Sequence, residues 1–132
     1  MNNRDIKLNF LHICENAFFS DDKKLNIINI FDIINISNLP AIHPRFSLAT
    51  GLFGDITKHK LFIEIKSPSG IPILESEYKE IKENMKNKTN LVINIVGVVF
   101  KEIGKYKILL KTEEGIIDEV NEYYFEVVKK EF

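Results

Sequence analysis

The order of apolar and polar positions is most informative between Leu91 and Leu110, LVINIVGVVFKEIGKYKILL. In its second half Tyr106, Ile108 and Leu110 fall on one side and Lys105, Lys107 and Lys111 on the other, the period-two signature of a strand with one wet face. The first half does not alternate. Ile93, Ile95 and Val99 share one predicted face, and Val92, Val96, Val98 and Phe100 crowd the other. A strand apolar on both faces is covered on both, or covered on one and adhesive on the other. The turn between the two halves, Glu102-Ile103-Gly104-Lys105, calls for positive φ at Gly104. Tyr106 is expected to fill the core and bond its hydroxyl to nearby backbone.

The rest of the chain repeats this alternation. Met1–Asp5 is polar and reads as loose. Strands are predicted over Lys7–Glu15, Leu25–Ile36, Arg45–Phe53, His59–Ser67, Ile71–Leu74 and Ile116–Lys129, besides the two of the hairpin. A bulge near Asp32 would reconcile the two half-patterns of Leu25–Ile36. Turn chemistry separates the strands at Ser20–Lys23, Phe53–Asp55, Ser67–Gly70 and Thr112–Gly115. Asn38–Pro44, with two prolines, reads as an extended crossover that cannot lie in a central strand. Two readings stand for Ser76–Asn90. Leu74, Tyr78, Ile81 and Met85 have helical spacing and allow one short helix over 76–86; an irregular edge strand and loop is the other. Seven or eight strands about ten residues apart, joined by short connections, predict an all-β antiparallel sandwich occupying 1–132 as a single domain. The inward residues expected are Phe10, Ile30, Phe46, Leu61, Ile63, Val99, Tyr106, Ile108 and Phe125. Phe62, Leu109 and Tyr124 are placed outward.

Composition narrows the function classes. A length of 132 residues suffices for one core without staples. A net charge of −1 gives no global field for nucleic acid or anionic lipid. No apolar run approaches a membrane span, and no secretory leader is readable at the N-terminus. The single Cys14 precludes an internal disulfide and fits a reducing compartment, so the expected address is the cytoplasm.

Several segments in order carry a resemblance: an opening strand ending near Cys14, then KLNIINIFDI, LPAIHPRFSL, IEIKSPSG and VVFKEIGKYKILL, spanning about Leu8 to Leu110. Together they resemble a small bacterial family of unknown function with an immunoglobulin-like β-sandwich. The resemblance implies that fold and no activity, so it supplies no catalytic residues. The helical spacing from Leu74 to Met85 departs from a pure sandwich.

Candidate chemistry is sparse. His12 and Cys14 share a strand face, but a nucleophile–base pair needs an orienting third group and a zinc site needs more ligands. His43, between Ile42 and Pro44, suits a ring that pins the crossover by a backbone bond. Asp21, Asp22, Asp55 and Asp118 fall at turns, without the spacing of a calcium loop. Lys101, Lys105, Lys107 and Lys111 form a basic stripe, but Glu102, Glu113 and Glu114 flank it, which disfavours nucleic acid. No catalytic residue, cofactor or metal is expected, and the chain reads as no enzyme. The first functional expectation is a module for protein binding or assembly, contacting a partner or a second copy through a sheet face. The alternative is a small-molecule or ion-binding accessory domain using loops near His43 and Asp55.

Overall fold

The alternating segments assemble into two facing sheets. The computed structural model describes residues 5–118 and 122–130, which form β1 (Lys7–Phe19), β2 (Leu25–Ile30), β3 (Ile33–Ile36), β4 (Ala41–Phe53), β5 (Leu61–Lys66), β6 (Pro72–Tyr78), β7 (Lys88–Phe100), β8 (Gly104–Thr112), β9 (Gly115–Ile116) and β10 (Tyr123–Lys129). One sheet has the order β2-β1-β4-β7, the other β3-β10-β8-β5-β6, with the short β9 paired to β8. Residues 1–4 and 119–121, expected to be loose and part of the last strand respectively, lie outside the described residues. The sandwich is all-β as predicted, with more strands; β1, β4, β6 and β7 are longer than expected, and the predicted Leu25–Ile36 and Ile116–Lys129 strands are each divided. β8 lies between β10 and β5, with β6 beyond β5, the arrangement of the G, F, C and C′ strands of an immunoglobulin-like sheet. Tyr106, two residues into β8, donates its hydroxyl to the Glu102 carbonyl at 2.7 Å, the corner contact that such sandwiches make at this strand. Gly104 has φ +131°, as its turn requires.

The core lies between the sheets. Tyr106, Phe46, Phe100 and Phe125 are fully buried at its centre. Tyr106 stacks on Phe125 at 5.4 Å, and Phe100 meets both rings edge-on at 5.0 and 5.8 Å. Such contacts add to the area these rings remove from water. Leu61, Ile63, Ile108 and the inward half of β1 complete the packing.

Several expectations are corrected. Leu25–Ile36 is not one bulged strand. The Phe31 amide bonds the Ile13 carbonyl in the first sheet, while the Asp32 carbonyl accepts from Glu126 in the second, so the chain changes sheets between adjacent residues. β3 then runs parallel to β10, an exception to the antiparallel rule predicted. Ile30, expected inside, is 58% exposed beside this crossing, and Phe10 sits half-buried on the outer face of the first sheet opposite Gly51. The helix over 76–86 does not form. β6 runs to Tyr78, and the segment to Asn87 is irregular, yet Tyr78, Ile81 and Met85 still pack on the core. His59 is not a strand residue but closes the 3-10 helix Ile56–Lys58.

Pro44 lies within a strand that is central to its sheet, contrary to expectation. It is tolerated because β1 pairs with β4 only as far as Cys14 opposite Ser47; beyond that point β4 is bonded to β7 alone. There both strands change phase together. Leu91 and Ile95 face inward before Gly97, and Val98 and Phe100 after it; Phe46 and Leu48 face inward after Pro44, and Ala41 packs on the core before it. The register on either side, Arg45 opposite Val96 and His43 opposite Val98, is unbroken. Gly97, at φ +70°, supplies the turn-over. Neither predicted face of β7 is therefore a single face, and Val99, expected inside, is 38% exposed.

Candidate functional site

β6 and β7 are the terminal strands of their sheets, on the same side of the sandwich. The sheets part between them into a cleft of about 680 Å³. Its apolar walls are Ile71, Ile73 and Leu74 from β6 and its approach, facing Val96, Val98 and Val99 of β7. Ile71 is 61% and Val96 72% exposed, so both lips of the cleft are greasy and wet. Further along the same side Tyr78, Ile81 and Met85 cover the core, and the gap narrows to about 510 Å³ beside Ile63, Leu74 and Ile93. The open end is floored by Tyr106 and closed by a polar bracket. Ser69 Oγ donates to Glu102 Oε2 at 2.6 Å, and Ser67 Oγ lies 3.1 Å from Ser69 Oγ. The hydrogen bonds from Ser69 and then Ser67 hold the Glu102 carboxyl below the usual carboxylate range.

The residues singled out in the sequence do not gather. His43 and Asp55 lie toward opposite ends of β4, roughly 30 Å apart along an extended strand. The His43 ring packs on Phe46 and Phe100 at 5.6 and 6.4 Å, and burial lowers its pKa, partly offset by a backbone hydrogen bond at Arg45. Asp55 caps the 3-10 helix, accepting from the Thr57 amide at 3.0 Å and from the Thr57 hydroxyl. Cys14 is fully buried on the outer face of the first sheet, its thiol raised in pKa by burial and directed at the Ser47 carbonyl, 3.5 Å away. His12 instead stacks on Phe10 at 5.6 Å. Asp22 bonds Ser20 within its turn, and Asp118 accepts from the Tyr123 hydroxyl at 2.9 Å. Asp22 and Asp118 are thus engaged locally.

Lys105, Lys107 and Lys111 of the basic stripe are engaged by carboxylates, while Lys101 lines the β6–β7 cleft. Lys105 and Lys107 meet Glu122 at 3.2 and 3.3 Å, and Lys105 also lies over the Tyr124 ring at 4.0 Å. Lys111 donates to Glu64 at 2.9 Å. Glu64 is 3% exposed, and burial pushes its carboxyl up, but hydrogen bonds from Glu75 and Lys111, with the charges of Lys111 and Lys66, hold it below the ordinary value. Glu75, directly opposite, is raised by the same pairing.

Among the described residues, the fold brings together one ligand-type cluster that the sequence reading did not contain. Asp5, His59 and Glu114 each place a donor atom within 4.8 Å of the others. The His59 side chain is 6% exposed, and its Nδ1 lies 2.8 Å from Glu113 Oε2. More than fifty residues separate His59 from each partner in sequence, so no local motif announces the cluster.

Residues 9–123 match a family of unknown function. The chain belongs to DUF6941. No curated protein matches this DUF6941 chain. Among solved structures it is similar to an immunoglobulin-like protein (PA1606) from Pseudomonas aeruginosa, at 14% identity and TM-score 0.46, covering 93% of this chain and 96% of that one. It is also similar to part of the Bifidobacterium dentium beta-glucuronidase complexed with coumarin-3-O-glucuronide, at 14% identity and TM-score 0.42, covering 92% of this chain and 17% of the enzyme. Among the described residues of this DUF6941 member, no helix is long and apolar enough to cross a membrane.

Proposed function

We propose that this DUF6941 chain is a non-enzymatic binding module that accepts an extended, apolar segment of a protein partner alongside β7, at the mouth of the β6–β7 cleft. The observation that carries this reading is an unprotected terminal strand. Sheet edges in stable proteins are blunted by charge, proline or cover, because unpaired backbone groups template a further strand. Val96-Gly97-Val98-Val99 has no charge, and Ile71 across the cleft extends the apolar surface. An added strand would satisfy the backbone of β7 and place alternate side chains between the lips, as in strand-addition recognition. Lys105, Lys107 and Lys111, already engaged by carboxylates, support protein over nucleic acid. Cys14, His12, His43 and Asp55 lack the nucleophile–base–orienter geometry of an enzyme, and the single cysteine fits a cytoplasmic setting.

A photo-crosslinking amino acid at Val96, compared with one at Ile33 on the far edge of the other sheet, tests the reading. Adducts from position 96 that disappear on Ile71→Lys support it. Adducts in equal yield from both positions, or from neither, overturn it.

A further inference from the structure

We propose, resting on the strand-addition reading of the β6–β7 cleft, that the partner segment lies antiparallel to β7 and carries an acidic side chain immediately before its apolar residues, received by Lys101. The end of β7 sets this up. Phe100, the last residue of the strand, is buried, and the exposed Lys101 follows it at the open end of the cleft. Among the described residues Lys101 makes no ion pair, whereas Lys105, Lys107 and Lys111 each meet a carboxylate within 3.3 Å. Glu102, its neighbour in the chain, accepts instead from Ser69 Oγ at 2.6 Å across the end of the cleft. The apolar opening thus ends in a cation that lacks a carboxylate, beside a carboxylate that already has a donor.

The two ends of the opening differ in charge. Beyond Val96, where the gap continues toward Ile93, the exposed Glu77 and Glu80 line it together with Lys79. An incoming carboxylate is opposed by two like charges there and meets a cation at Lys101, so the walls sort the direction of the strand. β7 runs from Lys88 to Phe100, so Lys101 stands where an antiparallel neighbour begins. Antiparallel pairing is also the more stable per residue. Between the two ends Val96 and Ile71 are 72% and 61% exposed, so the residues after the acid are aliphatic at alternate positions. The stretch of β7 from Ile93 to Val99 is roughly 20 Å long at the strand rise, which seven residues cover. An exposed ion pair adds little affinity; its effect is to choose orientation against the reverse.

The test uses fluorescence anisotropy at low salt with three labelled, end-capped peptides: Asp-Val-Thr-Val-Thr-Val-Asn, Asn-Val-Thr-Val-Thr-Val-Asp, and the same sequence with Asn at both ends. The acid-first peptide should bind the wild type roughly threefold or more tighter than the acid-last one, with the uncharged peptide between them. Salt at about 1 M should remove the difference, because charges there are screened within roughly 3 Å. Lys101→Gln should remove it as well. Ile71→Ser, which adds no charge, should weaken all three peptides. Equal affinity for acid-first and acid-last, a preference for acid-last, or a preference that survives Lys101→Gln overturns this proposal, and leaves strand addition standing where Ile71→Ser still weakens binding. No peptide binding, binding indifferent to Ile71→Ser, or a self-paired chain that no peptide dissociates overturns both.

Discussion

Tyr106 shows how one side chain ties local chain direction to the core. Its ring is held between Phe100 and Phe125, while its hydroxyl reaches back to the Glu102 carbonyl across the turn that Gly104 makes. Truncation in Tyr106→Ala should cost about 3–5 kcal/mol, because both ring contacts and a large buried volume are lost. Tyr106→Phe removes only the hydroxyl and should cost about 1 kcal/mol. Urea unfolding of the two variants checks the ratio; equal losses would mean that the hydrogen bond, not the packing, dominates. Tyr123 offers a titration at the same scale. Its pKa is pushed up to about 12 from 10.0 by burial, by the hydrogen bond it donates to Asp118, and by that carboxylate's charge. The folded state thus holds this proton more tightly than the unfolded chain. Its contribution to stability is complete below pH 10.0 and is lost as pH rises through about 12. Asp118→Asn removes the charge and should bring the Tyr123 ionisation, followed by ring-carbon chemical shift, down toward the ordinary tyrosine value.

Strands were legible wherever one face is dry. β5 and β8 alternate without interruption, and Leu61, Ile63, Tyr106 and Ile108 face inward as their pattern demands. The pattern misled where an element changes its surroundings midway. Leu25–Ile36 is apolar throughout because it serves two sheets in turn, and no periodicity marks the residue at which it crosses. β7 is apolar on both apparent faces because Gly97 exchanges them, so counting parity across the glycine assigned Val99 to the core. The apolar lip at Ile71 and Val96 was hidden for the same reason: an exposed apolar residue and a core residue look alike until the phase is known. Side-chain pairing across strands was equally unreadable. Glu64 and Glu75 stand directly opposite on β5 and β6, and the hydrogen bond to Glu64 and that carboxylate's charge raise the Glu75 carboxyl. A group raised in this way contributes stability below its unfolded value and opposes folding once it ionises beside Glu64. Glu75→Gln supplies a permanent donor, so its melting temperature should exceed that of the wild type at pH 7. The difference should shrink as pH falls and Glu75, the raised member of the pair, takes up its proton. A difference independent of pH would show that the pairing with Glu64 does not raise Glu75.

At the scale of the whole molecule, the two sheets part along the β6–β7 side. The segment from Tyr78 to Met85 covers one half of that side without forming a helix, since Tyr78, Ile81 and Met85 need only reach the core and not a regular spacing. The other half stays open between Ile71 and Val96. Burying each such side chain is worth roughly 1.5–3 kcal/mol, which an isolated chain forgoes. In a solution of this protein alone, the free edge most able to meet that surface is the same edge of a second copy, through antiparallel pairing of the two β7 strands. Light scattering over a concentration series should therefore show an apparent mass rising above 15.3 kDa for the wild type. Val96→Lys should hold the chain at its monomer mass with an unchanged melting temperature, because Val96 is 72% exposed and its replacement disturbs no packing. Val98→Lys is the matched contrast: Val98 is buried between the sheets, and a lysine there should lower the melting temperature or prevent folding. A wild type that remains strictly monomeric at high concentration would remove self-pairing and leave the edge to a different chain. A destabilised Val96→Lys would instead place that residue inside the fold.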